Sequence, residues 1–262
     1  MTDIGEEAGR LTVAGIEIEV LRRGEGHPIV LLHGFQTLDP EARVLDLLAR
    51  HGAVLAPSLP GFGHSPRPED FDTVADLVHF VLALLDDVPG GKATLIGLSF
   101  GGWLAAEAAV KCVHKIARLV LADPVGIKIG PPDQPDILDI FNRLPEEVRE
   151  KSWHDPDRFA PDFDEMSDEA LIVYARNREA LCRYAWHPYM YDPQLKRWLA
   201  RIRVPTLLLW GASDRVVTPD YGRAYSTLIP GSRFELIDGA GHHPEIEQPE
   251  AFAAHIAAFL RQ

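Results

Sequence analysis

Residues 93–104 read Ala93-Thr94-Leu95-Ile96-Gly97-Leu98-Ser99-Phe100-Gly101-Gly102-Trp103-Leu104. An apolar, partly β-branched run gives way there to small, helix-forming residues that continue through Ala109 and Val110. The pattern predicts a buried strand handing over to an amphipathic helix, with Gly97-Leu-Ser-Phe-Gly101 at the turn. A serine on so sharp a turn has its hydroxyl held out of the sheet, at the positive N-terminal end of the helix. A side chain at Gly97 or Gly101 would crowd the backbone. Ser99 is therefore the candidate nucleophile. The rival reading is a glycine-lined serine that only caps a helix.

The segments on either side extend the same alternation. Leu11-Thr-Val13 and Ile16-Glu-Ile-Glu-Val20 have period two about Ala14-Gly15 and predict a hairpin. Continuous apolar runs at 28–33, 53–57, 116–122 and 205–210, with 233–238 last, predict strands covered on both faces. Val74, Leu77, Val78, Val81, Leu82 and Leu85 form one helical stripe that Asp72 or Thr73 can cap. Further helices are expected near 102–111, 219–228 and 249–261. Eight strands alternating with helices predict an α/β fold: a mostly parallel, twisted sheet with helices on both faces. The alternation breaks between about 126 and 200, a stretch rich in Pro, Asp, Trp and Tyr. The expected organisation is a core of 1–125 and 201–262, with 126–200 as a helical cap inserted after the sixth strand.

The 262 residues are 46% hydrophobic and carry a formal net charge of −13. Lysines and arginines do not gather on any expected helix, which argues against nucleic-acid binding. The apolar runs are too short to span a bilayer, and Met1 to Arg10 lack the basic start and apolar stretch of a signal peptide. A cytoplasmic protein with no membrane partner, monomeric or homodimeric, is the expectation. Cys112 and Cys182 are expected as two buried free thiols. No HExxH or CxxC pattern and no GxGxxG opening a helix occur, so neither a metal nor any other cofactor is expected.

A serine hydroxyl is a weak nucleophile that needs a base, and the base needs a third group to orient it. His242, in Gly239-Ala-Gly-His242-His243-Pro-Glu245, follows the last strand, and Asp214 follows the strand at 205–210. Both then stand at the C-terminal edge of the sheet with Ser99, where ligands bind in open α/β sheets. The order Ser, Asp, His is the one expected for a nucleophile on this kind of turn. Backbone N–H groups of Phe100 and of Phe35, in His33-Gly34-Phe35, are the candidate oxyanion donors.

These features together resemble the α/β-hydrolase superfamily, in its capped, single-domain, esterase-like branch. His33-Gly34-Phe35, Pro60-Gly-Phe-Gly-His-Ser65, the turn at 97–101, Gly211-Ala-Ser-Asp214 and Gly241-His242 match in order and spacing. Coverage is essentially 11–262, with the 126–200 stretch matching in position only. The resemblance implies a serine hydrolase acting on small to medium apolar esters through an acyl-enzyme. Lactone hydrolysis, carbon–carbon bond hydrolysis, perhydrolysis and a non-turnover sensor use the same machinery in relatives. Halide displacement and epoxide opening are disfavoured, because those relatives carry aspartate where this chain has Ser99. The family pattern also leaves Asp123 as an alternative acid and His243 as an alternative base. His33, Gly34, Trp153 and Trp186 are candidate pocket residues, and Arg176, Arg178 and Arg183 could meet a substrate carboxylate. The bland reading of the aromatic residues in 126–200 is that they form the cap's own core.

Overall fold

The computed structural model describes residues 7–262. Met1 to Glu6, the start of the stretch without a signal-peptide pattern, lie outside the described residues. In chain order the elements begin with β1 (Glu7–Val13), β2 (Ile16–Arg23), β3 (Pro28–Leu32), α1 (Arg43–Ala49) and β4 (Ala53–Pro57). α2 (Val74–Asp86), β5 (Ala93–Leu98), α3 (Ser99–Lys111) and β6 (Ile116–Ala122) follow. Between β6 and the next strand run α4 (Pro145–Ser152), α5 (Pro156–Phe159), α6 (Asp168–Ala185) and α7 (Leu195–Trp198). β7 (Thr206–Gly211), α8 (Pro219–Thr227), β8 (Arg233–Ile237), α9 (Pro244–Glu247) and α10 (Pro249–Leu260) complete the chain.

The strands form one eight-stranded sheet in the order β1-β2-β4-β3-β5-β6-β7-β8. β1 and β2 pair antiparallel, β2 pairs antiparallel with β4, and every later pairing is parallel. The pleat divides each central strand between two cores. Val30 and Leu32 of β3, Leu95 of β5, Leu119 and Leu121 of β6 and Trp210 of β7 pack with α2, α3 and α8. Their neighbours Ile29, Leu31, Ile96, Leu98, Val120 and Leu209 pack with α1 and α10 on the other face. That two-sided burial is why these strands read as unbroken apolar runs.

Thr73 caps α2 in a full capping box with Asp76. The buried face of α2 also takes in Phe80 and Leu84, while Val74 and Leu82 are only half-buried. The apolar surface is wider than the single expected stripe because α2 packs against both the sheet and α3. α1 and α9 are elements that apolar periodicity did not indicate. Both cysteines are free but half-buried, not buried as expected: Cys112 stands at the C-terminal end of α3 and Cys182 lies on α6.

The two glycines of the turn are explained by distance. A Cβ on Gly97 would lie 2.3 Å from the backbone oxygen of Gly101, and one on Gly101 would lie 2.4 Å from that of His33. β5, α3 and the end of β3 thus meet backbone to backbone. Gly101→Ala is expected to destabilise the protein by about 1–3 kcal/mol, the usual cost of overpacking. Chemical denaturation, with Ala105→Gly as a helix-interior comparison, measures it.

Candidate active site

Ser99 is the first residue of α3 and has φ +47°. A non-glycine residue in that region stores about 1–3 kcal/mol of strain, and the turn holds it there. The strain aims Oγ at the C-terminal edge of the sheet, where it lies 2.8 Å from His242 Nε2. His242 sits on the loop between β8 and α9, and its Nδ1–H donates to Asp214 Oδ2 at 2.8 Å. With Nδ1 protonated, Nε2 is free to accept the Ser99 proton. Asp214 lies on the loop between β7 and α8, and its Oδ1 accepts the backbone N–H groups of Val216 (2.7 Å) and Val217 (3.1 Å). All three side chains of this chain are within hydrogen-bond reach in sequence. Burial works against a charged His242, but the adjacent Asp214 carboxylate outweighs it and holds the imidazole pKa above its ordinary value.

The histidine loop is fixed from the segment between β6 and β7. His242 N–H donates to Ser152 O at 2.7 Å, and a Cβ on Gly241 would lie 2.4 Å from that same oxygen. Glu247, in α9, is buried, and its Oε2 accepts from Gly241 N–H. Its Oε1 accepts the N–H groups of His154 (2.8 Å) and Asp155 (3.0 Å). One carboxylate therefore ties the histidine loop to the segment after α4. Gly211 is equally constrained, since a Cβ there would meet Gly241 O at 1.8 Å.

On the opposite side of Ser99 stands the loop after β3. A Cβ on Gly34 would lie 3.2 Å from Ser99 Cβ. The N–H of Phe35 has no acceptor among the described residues, and that of Phe100 lies in the first turn of α3, where helices lack internal acceptors. His33 shapes this loop from behind. Its Nδ1–H donates to Gly34 O at 2.9 Å, and its Nε2 accepts from Leu59 N–H at 3.0 Å. Full burial lowers its pKa to about 4 against the small opposing effect of the Gly34 bond, so it is neutral.

Above Ser99 opens a cavity of about 1440 Å³, lined by residues of the loops at the sheet edge and of the segment between β6 and β7. Gly34, Phe35, Phe100, Trp153, Tyr174 and Met190 are among its walls. Two pocket candidates are corrected. His33 is 1% exposed and outside the lining, because both ring nitrogens serve backbone groups. Trp186 is 50% exposed and borders a separate, smaller cavity beside α3. His243 stacks on Trp153 at 4.4 Å and faces Glu245 at 3.6 Å, so His242 is the histidine turned toward Ser99. Of the three arginines considered, Arg178 lines the large cavity, over the Phe141 ring at 4.8 Å and bonded to Ile140 O. No carboxylate pairs with it among the described residues, whereas Arg183 pairs with Asp72 and Glu179. Asn177, buried beside it, links Gly63 N–H to the Gln36 side chain. Sequence reading passed over Glu247, Ser152 and Asn177, and no pattern marks them.

A model described as the alpha/beta hydrolase family matches residues 29–255. The chain belongs to that family. It is 30% identical over 99% of its length, and 99% of the relative's, to 2-hydroxy-6-oxo-2,4-heptadienoate hydrolase of Pseudomonas putida (strain F1). Among solved structures, a thermophilic esterase from Thermogutta terrifontis is 27% identical, with a TM-score of 0.70 over 97% of this chain and 98% of that one. A 2-hydroxy-6-oxo-6-phenylhexa-2,4-dienoate hydrolase from Rhodococcus sp. strain RHA1 shares the fold, with a TM-score of 0.79 at 20% identity over 99% of this chain and 100% of that one. Among the described residues of this hydrolase, no helix is long and apolar enough to cross a membrane.

Removing the Glu247 carboxylate strands three N–H donors, of which that of Gly241 is buried, and a buried donor left unpaired costs about 1–3 kcal/mol. Glu247→Ala is expected to lower stability and also to slow labelling of Ser99 by a fluorophosphonate. A variant that unfolds earlier yet reacts at the wild-type rate would show that His242 is positioned without this tie.

Proposed function

We propose that the protein is a serine hydrolase that cleaves carboxylic esters of apolar acids through an acyl-enzyme. The observation that carries this reading is the pair of 2.8 Å hydrogen bonds linking Ser99, His242 and Asp214 at the floor of the cavity. Ser99 Oγ attacks the ester carbonyl while His242 Nε2 takes its proton and returns it to the leaving alcohol. Asp214 stays ionised, orients His242 and stabilises the imidazolium. The Phe35 and Phe100 N–H groups receive the negative charge that develops on the carbonyl oxygen. Water then attacks the acyl-enzyme by the same steps in reverse order. The helices of 126–200 act as a cap that dries the site, which strengthens each of these interactions.

A second reading is hydrolysis of a carbon–carbon bond beside a ketone in a substrate bearing a carboxylate. Arg178 favours it, as a cavity-lining cation without a carboxylate of its own. The name of the Pseudomonas putida relative, a dienoate hydrolase, fits such a substrate. Ester cleavage is placed first because the walls around Ser99 are mostly apolar.

Turnover of a chain-length series of p-nitrophenyl esters tests the first reading. Wild type is expected to give a burst proportional to enzyme, and Ser99→Ala to lose roughly 10⁴–10⁶-fold in rate. Equal slow turnover by both proteins would sink it. The second reading is tested with 2-hydroxy-6-oxo-2,4-heptadienoate, for which Arg178→Gln is expected to raise KM while leaving that for neutral esters unchanged. An equal effect on both substrates would remove Arg178 as a carboxylate partner.

The pH profile has a definite sign. Because Asp214 holds the His242 pKa above its ordinary value, the acid limb of kcat/KM is expected above about pH 6.5. Asp214→Asn is expected to shift that limb to lower pH and to cut the rate by about 10⁴-fold. A limb that stays in place would mean that a different group sets it.

A further inference from the structure

Asp123, the residue after β6, has no part in the chemistry above, yet it is 1% exposed and lies against the triad. Ligating atoms of Asp123, Asp214 and His242 all lie within 4.8 Å of one another. β6 and β7 are neighbours in the sheet, so the two aspartates leave the C-terminal ends of adjacent strands. Asp123 has φ +44°, a strained conformation for a residue with a side chain. Its Oδ1 accepts the N–H of Gly211 at 2.9 Å. Its Oδ2 is buried and has no hydrogen-bond partner among the described residues.

The surroundings decide how these charges are distributed. Asp214 accepts three N–H donors, from Val216, Val217 and His242. Asp123 accepts one. The groups facing Asp123 are Asp214 after β7, Glu245 on α9 and the His242 ring after β8. No lysine or arginine pairs with either aspartate among the described residues. Two adjacent buried carboxylates with so little cationic support do not both ionise, and the proton goes to the one with fewer donors. Burial first, then the Asp214 charge, push the Asp123 pKa well up, in keeping with this assignment.

Building on the serine-hydrolase reading above, we infer that Asp123 stands as a neutral carboxylic acid whose Oδ2–H donates to the Asp214 carboxylate, making it a positioning residue for the triad. The proton fills the orphaned oxygen and gives Asp214 a fourth donor without adding a second negative charge beside His242. Asp214 is then clamped from both sides, by the backbone of its own loop and by β6. The left-handed backbone at Asp123 is the cost of that reach.

Asp123→Asn is the decisive variant, because its carboxamide offers the same acceptor to Gly211 and a donor to Asp214. Ser99 labelling by a fluorophosphonate reads the triad whatever the natural substrate. Asp123→Asn is expected to react within about threefold of wild type, and Asp123→Ala to lose about tenfold or more through the missing donor. If the asparagine variant loses as much as the alanine variant, the neutral-acid role is overturned.

Stability against pH gives an arm independent of activity. An unfolded aspartate releases its proton near pH 3.9, whereas folded Asp123 keeps it, so folding takes up a proton above that pH and stability falls as pH rises. Asp123→Asn removes this dependence. Its Tm is expected to exceed that of wild type by a margin that grows from about pH 4 toward neutrality. A margin that is constant with pH, or that shrinks, would mean Asp123 is ionised when folded and would overturn the inference. In the infrared spectrum at neutral pH, wild type is expected to show a protonated-carboxyl band that Asp123→Asn lacks. If wild type and Ser99→Ala alike fail to label, the serine-hydrolase reading falls, and the thermal and infrared arms still decide the state of Asp123.

Discussion

Backbone meets backbone at several glycines in this molecule with no room for a carbon atom between, and three of these contacts set the site. Gly97 abuts the carbonyl of Gly101, Gly101 abuts that of His33, and Gly211 abuts that of Gly241. The first two press the end of β5 and the start of α3 against the end of β3, which sets Ser99 beside Gly34. The third presses the end of β7 against the histidine loop, which sets Asp214 beside His242. A parallel sheet delivers all these segments to one edge, but only to within the width of a side chain. The glycines close that last distance, and the hydrogen bonds of the site become short as a result.

The segment between β6 and β7 supplies the other half of the geometry. His242 is held by Asp214 through its side chain and by Ser152 through its backbone N–H. The Glu247 carboxylate joins the histidine loop to His154 and Asp155. The wall that lies over Ser99 and the histidine bonded to its hydroxyl are therefore one connected unit. A movement of the segment after α4 large enough to admit a bulky substrate would pull on the histidine loop as well. Under the serine-hydrolase reading, such coupling places the same residues in control of both access and proton transfer.

Much of the fold was legible because the central strands are buried on both faces and carry unbroken apolar runs. α2 was legible from its stripe and from Thr73, although its burial on two sides widens the apolar face beyond one line of residues. α1 is seven residues long and α9 four, too short for periodicity to declare them. Ser99, Asp214 and His242 could be read because chain order and strand ends restrict where such residues can stand. Trp186 could not be placed, since aromatic residues in a helical insertion face cavity, core or solvent with the same composition. His33 was misplaced as a pocket residue for a related reason. Its position in sequence says that it is near Ser99, but only its two backbone partners show that the ring points away.

Glu247 was hidden in the sequence, and Asp123 was legible there only as an alternative acid, for one shared reason. Each is an acidic residue in a loop or short helix, where a solvated carboxylate is the ordinary outcome. Their importance comes from what burial does to them. Glu247 gathers three N–H groups from two segments. Asp123 meets one N–H and another carboxylate, and the same burial favours its neutral form. The two carboxyls differ in the number of donors each can reach. That number is a property of loops packed against one another across the sheet edge. It follows from the three glycine contacts, through which those loops come close enough for their N–H groups to be shared.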